Sequence, residues 1–175
     1  MSRVERDAEV TLVVLTYRSL RWLDWCQQSV EDSKGSTRYR WLVVSNDATE
    51  EVENDPRVRL RWRNDDPQEF YINRVYRAWN AGVLEATTPW VVMLNSDMAA
   101  SDYWLDELLA VKHANRRTVP TSNLIESGRL PSGIPEHVEN HGMHPDEFNR
   151  EKFVQHAENI RVLNTTMPGR LYMPI

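Results

Sequence analysis

The fold predicted for this chain is decided by the ten residues PWVVMLNSDM, which occupy positions 89–98. Residues 90–94 are apolar without a polar break, and a proline precedes them. A short apolar run of this kind is typical of a strand that is buried on both faces inside a parallel sheet. The run ends abruptly in Asn95, Ser96 and Asp97. The stretch therefore predicts a buried strand with polar side chains at its carboxyl end.

Polar residues at that end of a strand have two interpretations. Open α/β sheets bind their ligands at the carboxyl ends of strands, and carboxylate and amide oxygens suit a Mg²⁺ or Mn²⁺ ion that holds a phosphate. Asn and Asp are also frequent in ordinary turns. Residues 89–98 alone do not decide between a metal site and a turn.

A strand, a helix and a second strand are predicted upstream. Residues 10–15 form another nearly continuous apolar run, which ends in Thr16 and Tyr17. Apolar residues then recur at helical spacing over residues 20–30, and residues 39–44 read as a strand followed by a polar run. This order predicts a right-handed parallel unit.

A half-exposed strand and a helix are predicted before the opening stretch. Residues 57–63 alternate apolar side chains with four arginines, which indicates a strand near an edge. The helix follows Pro67 and is interrupted at Gly82. Its predicted apolar face comprises Ile72, Val75, Tyr76, Trp79 and Val83.

The second half of the chain has weaker patterns. A helix is predicted over residues 103–115 and an edge strand over residues 118–125, because Pro120 disfavours a central position. A further helix begins at Pro145, and residues 160–163 form a short strand. A long loop between them is marked by Gly128, Pro131, Gly133 and Pro135.

Composition limits the class of protein. The chain has 175 residues, of which 41% are hydrophobic and 27% charged, as expected for one globular domain. Its net charge of −5 argues against nonspecific nucleic-acid binding. Cys26 is the single cysteine and is expected to be a buried structural thiol in a reducing compartment. No apolar run approaches the ~18 residues of a membrane span, and the first nine residues lack a signal core, so a cytoplasmic location is predicted.

Four stretches, taken together, resemble a known family. Residues 10–17 are similar to a first strand that ends in a Pro-Thr-Tyr-Asn turn, with leucine in place of the proline. Residues 43–50 are similar to a Val-Val-Asp-Asp-Gly-Ser-Thr-Asp segment, although both aspartates are missing. Residues 73–82 have the spacing of an Asn-x-Gly-x-x-x-Ala-x-Asn-x-Gly helix, with Val75 at the first glycine. Residues 94–98 are similar to Leu-Asp-x-Asp-Asp, with asparagine at the first acid.

In this order the four stretches resemble the N-terminal, nucleotide-sugar-binding part of a family 2 glycosyltransferase, over roughly residues 10–109. The resemblance implies an α/β protein of the GT-A fold, with a Rossmann-like, mostly parallel central sheet flanked by helices. Residues 1–125 would be the nucleotide-sugar-binding core. Residues 126–175 would be an acceptor-side loop and helix region, either truncated or reduced.

The resemblance also implies an activity. A family 2 enzyme of the hexosyltransferase type transfers a sugar from a UDP-, GDP- or dTDP-linked donor to a glycan or another hydroxyl acceptor, with inversion and with Mn²⁺ or Mg²⁺. Asp97 matches the acid that binds the metal. The donor nucleotide would be bound by Thr16, Tyr17, Asn46, Asp47, Arg74, Asn80, Asn95 and Ser96.

The residue types at these positions suit that chemistry. The Tyr17 ring can stack on a base, and the Asn46 amide oxygen can accept a hydrogen bond from a pyrimidine imide. Asp47 is an alternative to Asn46, and an ordinary Asx turn is the other interpretation of both residues. The planar fork of Arg74 suits a phosphate, although Arg74 and Arg77 can also belong to a solvated helix face.

The catalytic base and the histidines stay unassigned. Glu126, Glu136, Asp146 and Glu147 are candidates for the base that an inverting transferase needs. Metal binding by His137, His141 and His144 is disfavoured, because Gly142 and Pro145 break any helix there; an acceptor-facing loop, or one distal metal ligand, are the alternatives. His113 and His156 are expected on helix surfaces.

Two other functions compete with catalysis. A nucleotide-sugar-binding module without turnover, or a truncated and inactive transferase domain, would fit the missing base and the weakened acidic pair. A nucleotidyltransferase would need a glycine-rich phosphate loop after the first strand, and residues 17–20 contain no glycine.

Overall fold

A computed structural model of the chain describes residues 7–115, 117–122, 124–126 and 137–166, with side chains in the last helix described to Arg161. The chain divides into two compact units. Met1–Asp24 and Thr37–Met98 form the first, called here the sheet unit. Trp25–Ser36 and Ala99–Ile175 form the second, called the helical unit. The predicted boundary between residues 125 and 126 stays a prediction.

The helices and strands follow the predicted order through residue 115, apart from a short helix at Glu50–Glu53 that was not predicted. They are β1 (Val10–Thr16), α1 (Leu20–Glu31), β2 (Tyr39–Asn46), the short α2 (Glu50–Glu53), β3 (Val58–Trp62), α3 (Tyr71–Glu85), β4 (Trp90–Asn95) and α4 (Trp104–Ala114). A 3₁₀ turn at Pro145–Glu147 and α5 (Arg150–Thr166) follow. The predicted α/β class with a parallel central sheet is confirmed.

The sheet has four parallel strands in the order β3-β2-β1-β4. Thr16 at the end of β1 is paired with Ser45 of β2, and Leu15 is paired with Asn95 of β4. β1 is buried along its whole length, as its continuous apolar sequence predicts. The register places the carboxyl ends of β1, β2 and β4 side by side.

Helix α3 lies closely against β1 and β2 through Ala78 and Gly82. A Cβ atom on Gly82 would lie 2.4 Å from Cγ1 of Val13 and 3.0 Å from Cγ2 of Val44. The prediction that Gly82 interrupts the helix is wrong, because here glycine permits close packing. The predicted apolar face is also partly wrong, since Tyr76 and Val83 are exposed.

Strand β4 was expected to be buried on both faces, and this is wrong. Among the described residues β4 pairs with β1 alone, so it is an edge strand. Leu94 is its one buried residue, and Met93 is 54% exposed. An unbroken apolar sequence therefore does not separate a central strand from an edge strand that has partial cover.

The helical unit has its own apolar interior. Trp104, Leu105 and Leu108 of α4 are buried, as are Phe153, Ala157 and Ile160 of α5. The unit also contains the buried end of α1, where Cys26 is fully buried, as predicted for a structural thiol. Ser29 Oγ accepts a hydrogen bond of 2.8 Å from the backbone N–H of Ala100.

Two predicted strands in this unit are wrong. The described part of residues 118–125 contains no strand, and only Glu126 forms an isolated bridge, with Val138. Residues 160–163 lie within α5, because the spacing of Phe153, Ala157 and Ile160 continues a helical face. The predicted loop residues Gly128, Pro131, Gly133 and Pro135 lie outside the described residues.

The helix predicted to begin at Pro145 is divided into the 3₁₀ turn and α5, which starts five residues later. In the part of the chain that the structure covers, no helix is both long enough and apolar enough to span a bilayer.

Candidate functional site

A cavity of about 730 Å³ opens at the carboxyl ends of β1, β2 and β4 in the sheet unit. Eight of the nine predicted donor and metal residues line it, and the ninth, Asn80, is exposed on α3 outside it. The lining residues are Leu15, Thr16, Tyr17, Arg18, Ser19, Trp22, Asn46, Asp47, Tyr71, Arg74, Val75, Asn95, Ser96 and Asp97.

Two buried polar atoms in this lining have no hydrogen-bond partner among the described residues. They are the hydroxyl oxygen of Thr16, which is 1% exposed, and the amide oxygen Oδ1 of Asn46. An unpaired buried polar group costs about 1–3 kcal/mol. Such a cost at the wall of a cavity is relieved when a ligand supplies the missing partner.

Asp47 has a structural role in addition to its place in the lining. Its φ is 46°, in the left-handed region, and its N–H donates to the carbonyl of Trp62 at 2.9 Å. Its Oδ1 accepts from the backbone N–H of Asn64 at 2.7 Å. The carboxylate thus holds the turn after β2 against the turn after β3 through a tertiary hydrogen bond, which is not the local bond of an Asx turn.

Arg74 fastens the loop before α3. Its Nε donates to the carbonyl of Glu69 at 3.1 Å, and its Nη2 donates to the carbonyls of Pro67 at 2.8 Å and Asp66 at 3.2 Å. Nη1 lies 3.9 Å from Oδ2 of Asp47. The guanidinium therefore uses most of its donors within the protein, where it holds the loop that leads to the lining residue Tyr71.

Arg77 lies outside the cavity. It is 60% exposed and pairs with Glu69, with 2.9 Å between Nη2 and Oε1. This is the solvated helix face that was the alternative interpretation of Arg77.

The end of β4 supplies oxygen ligands. The Ser96 N–H donates to the carbonyl of Leu15 at 3.0 Å, which fixes this turn beside β1. Asn95 and Asp97 are exposed at the cavity. Mg²⁺ is commonly bound by one or two carboxylates together with substrate phosphates, so one carboxylate beside an amide oxygen suits Mg²⁺ or Mn²⁺.

An aromatic side of the cavity was not predicted in full. Tyr17 is 45% exposed, and the guanidinium of Arg18 lies 4.5 Å from the centre of its ring. Trp22 and Tyr71, from α1 and α3, also line the cavity. The sequence feature that identifies Tyr71 is a pair of aromatic residues, Phe70 and Tyr71, at the start of a helix. Both residues are exposed in the structure.

The residues proposed for the catalytic base lie in the helical unit or outside the described residues. Oε2 of Glu126 is buried and has no hydrogen-bond partner among the described residues. Asp146 and Glu147 lie in the 3₁₀ turn. Glu136 lies outside the described residues.

Two solved structures are similar, both of S. aureus TarS 1-349, and the second is in complex with UDP-GlcNAc. They share 17% and 18% sequence identity with the chain and cover 67% of it, with TM-scores of 0.44 and 0.42. The chain spans only 40% and 38% of their lengths. No match was found among curated proteins.

The sequence profile of glycosyl transferase family 2 matches residues 11–170. That range is wider than the one over which the four motifs were recognised, and it includes both units. The chain belongs to glycosyl transferase family 2.

Proposed function

We propose that this chain binds a nucleoside diphosphate sugar in the sheet-unit cavity and acts in an inverting, metal-dependent hexosyl transfer to a glycan or another hydroxyl acceptor. One observation carries the donor site. The buried oxygens of Thr16 and Asn46 have no partner among the described residues, and they line the same cavity as Asp97.

The nucleoside would lie at the ends of β1 and β2. The amide oxygen of Asn46 can accept the imide N–H of uracil or thymine, and its NH₂ group can donate to a base carbonyl. The Thr16 hydroxyl can donate to the same ligand. The ring of Tyr17 offers a stacking face for the base. This donor set favours a pyrimidine nucleotide, as in a UDP- or dTDP-sugar.

The diphosphate would lie toward the end of β4. Asp97, with Asn95 beside it, would hold Mn²⁺ or Mg²⁺. A bound divalent ion stabilises the negative charge that develops on a diphosphate leaving group. Ser96 can donate a hydrogen bond to a phosphate oxygen, and Arg74 holds the loop that leads to Tyr71 of the lining.

A donor-binding module without turnover is the second candidate. Neutral Asn46 and Asn95 stand where the family pattern has acids, and Asp47 is engaged by Asn64 and Arg74. Neutral ligands hold a divalent ion more weakly than carboxylates, which would slow departure of the diphosphate. The catalytic base, the acceptor and the cytoplasmic location stay predictions.

Calorimetry tests the proposal. Wild type, Asp97→Ala and the control Glu85→Ala, an exposed acid of α3 outside the cavity, are titrated with UDP-, GDP- and dTDP-sugars, with and without Mn²⁺. We expect Mn²⁺-dependent binding of a pyrimidine nucleotide sugar in wild type and Glu85→Ala, weakened about tenfold or more in Asp97→Ala. Absence of Mn²⁺-dependent binding to all three donors would refute the proposal. Hydrolysis of a bound donor would then distinguish an enzyme from a binding module.

A further inference from the structure

Three metal-ligating side chains converge in the helical unit. Nε2 of His141 lies 3.0 Å from Nδ1 of His156, and this Nδ1 lies 3.3 Å from Oε2 of Glu139. One ligand atom from each residue lies within 4.8 Å of the other two. Glu139 and His141 come from the segment before the 3₁₀ turn, and His156 comes from α5. The expectation that His156 is a plain surface residue is therefore wrong.

The segment that carries two of these ligands is held in place. Glu126 donates its N–H to the carbonyl of His137 at 2.8 Å and accepts the N–H of Glu139 at 2.9 Å. The carbonyl of His141 accepts the N–H of Asn149 at 2.6 Å. The His141 ring is 6% exposed and packs edge-on against Phe153, with 5.8 Å between ring centres. The ligands are thus presented by backbone contacts that do not depend on an ion.

The hydrogen atoms on the two imidazole rings cannot satisfy all three of these ligand atoms at once. If Nδ1 of His156 carries a hydrogen, both Nε2 of His141 and the Glu139 carboxylate compete for it. If Nε2 of His141 carries the hydrogen, the Glu139 carboxylate faces a lone pair of His156. In either tautomer two acceptor atoms are left for the one hydrogen at the centre of the cluster.

A divalent ion satisfies all three acceptors at once. Bond lengths of about 2.0–2.1 Å in a tetrahedral zinc site place neighbouring ligand atoms about 3.3 Å apart. Two of the three separations, 3.0 Å and 3.3 Å, are close to that value, and the third lies within 4.8 Å. Two imidazoles and one carboxylate form a ligand set that zinc accepts in proteins, with water or another ligand in the fourth position.

We propose that Glu139, His141 and His156 bind one divalent ion of the zinc class, with solvent at the open position beside Glu139, whose side chain is 54% exposed. The ion would connect the segment before the 3₁₀ turn to α5 and stabilise the helical unit. This site does not rest on the proposed function, because none of its ligands lines the sheet-unit cavity.

The test uses the full chain freed of metal with EDTA. ZnCl₂ is titrated by calorimetry, Tm is measured with and without the ion, and Co²⁺ serves as an absorption probe of the coordination. We expect one ion per chain, a Tm raised by several degrees, and Co²⁺ absorption of a four- or five-coordinate nitrogen and oxygen site. Asp97→Ala should bind zinc with the affinity of wild type, which separates this site from the cavity.

Ligand variants decide the assignment. Loss of an outer-shell partner weakens metal binding by about 10- to 100-fold, and loss of a ligand should weaken it at least as much. We expect a loss of zinc affinity of this size or larger in both Glu139→Gln and His156→Ala. His144→Ala removes an exposed histidine three residues from His141 and should bind as wild type does. Glu139→Gln alters an exposed side chain, so its Tm in EDTA should equal that of wild type. The proposal is overturned if Glu139→Gln binds zinc as tightly as wild type, or if His144→Ala weakens binding equally.

Discussion

In the sheet unit the polar side chains of the cavity lie at the ends of three strands, whereas in the helical unit the Glu139, His141 and His156 cluster joins a loop segment to a helix. A parallel sheet fixes which residues meet, because the register puts Thr16 beside Ser45 and Leu15 beside Asn95. In the cluster, the backbone hydrogen bonds of Glu126 and Asn149 and the start of α5 set the geometry. The shape of the cavity is therefore fixed by the core of the sheet unit, whereas the shape of the cluster is fixed by these few contacts.

The largest expected effect separates the two units by their arginines. Arg74 fastens three carbonyls beside the cavity, and Arg150 donates to the carbonyl of Asp32 at 2.8 Å in the helical unit. We expect Arg74→Ala to weaken donor binding by about 2 kcal/mol, or roughly 30-fold, because the loop before Tyr71 loses its charged hydrogen bonds and must then be ordered when the donor binds. Arg150→Ala should leave donor affinity unchanged.

Calorimetric titration of both variants with the donor and Mn²⁺ checks this difference. Arg77→Ala, on the same helix as Arg74 but outside the cavity, is the matched control. Equal losses in Arg74→Ala and Arg77→Ala would mean that general positive charge on α3, and not the fastened loop, supports binding.

A pair of glycines compares packing in the two units. A Cβ on Gly82 would collide with Val13, whereas a Cβ on Gly35 in the helical unit would lie 3.4 Å from its nearest atom, Oδ1 of Asp106. We expect Gly82→Ala to lower the free energy of unfolding by about 1–2 kcal/mol, because overpacking outweighs the gain in helix propensity. Gly35→Ala should change it little. Urea unfolding measures both, and a Gly82→Ala protein as stable as wild type would show that α3 can move away from the sheet.

The unpaired hydroxyls allow a finer test of the cavity. Thr16→Val keeps the shape of the side chain and removes a buried oxygen that has no partner among the described residues. We expect Thr16→Val to weaken donor binding by about 1 kcal/mol and to leave the free protein as stable or more stable. Ser45 is fully buried and lies outside the cavity, and its hydroxyl oxygen also has no hydrogen-bond partner among the described residues. Ser45→Ala should therefore affect stability alone. Unchanged donor affinity in Thr16→Val would remove Thr16 from the site.

The smallest expected effect is a pH dependence of opposite sign in the two units. In the sheet unit, hydrogen bonds from Arg63 lower the pKa of Glu53 below 4.5, so its contribution to stability exists above pH 4.5 and is lost as pH falls through the lowered pKa. In the helical unit, burial raises the pKa of Glu107 above 4.5, so stability decreases as pH rises from 4.5 through the raised pKa.

Near pH 7, Glu53→Gln should therefore lower Tm, and Glu107→Gln should raise it. Both differences from wild type should disappear in acid, where the native carboxyls are protonated. Thermal melts from about pH 3 to about pH 8 measure this. The same sign of change in both variants near pH 7 would contradict the opposite pKa shifts.

The strand ends could be predicted from sequence because the physics there is local. An apolar run gives a strand, and parallel pairing brings the residues that follow each strand together, so Asp97 was expected at this position without coordinates. The family resemblance added Thr16 and Asn46, and all three residues line the cavity. The edge position of β4 was not found, since the residues that pair a strand lie elsewhere in the chain. Gly82 was taken for an interruption because sequence does not show how closely a helix approaches a sheet.

The histidine cluster was missed for a different reason. Gly142, with φ of 116°, lies between His141 and the 3₁₀ turn, which agrees with the prediction that no helix runs there. His156, however, belongs to α5 and meets His141 only through tertiary packing. A separation of fifteen residues across a loop and a helix start carries no periodic signal. Trp22 and Tyr71 escaped prediction similarly, because the direction of a helix sets which of its residues face a cavity.

The most direct test of the central claim is an NMR titration of the ¹⁵N-labelled 20.5 kDa chain with a UDP-sugar and Mg²⁺. Binding at the strand ends predicts saturable shifts of the amides of residues 15–19, 46–47 and 95–97, with Glu139 and His141 unmoved. Shifts confined to the helical unit, or no shifts at saturating UDP-sugar, would contradict a donor site at the ends of β1, β2 and β4.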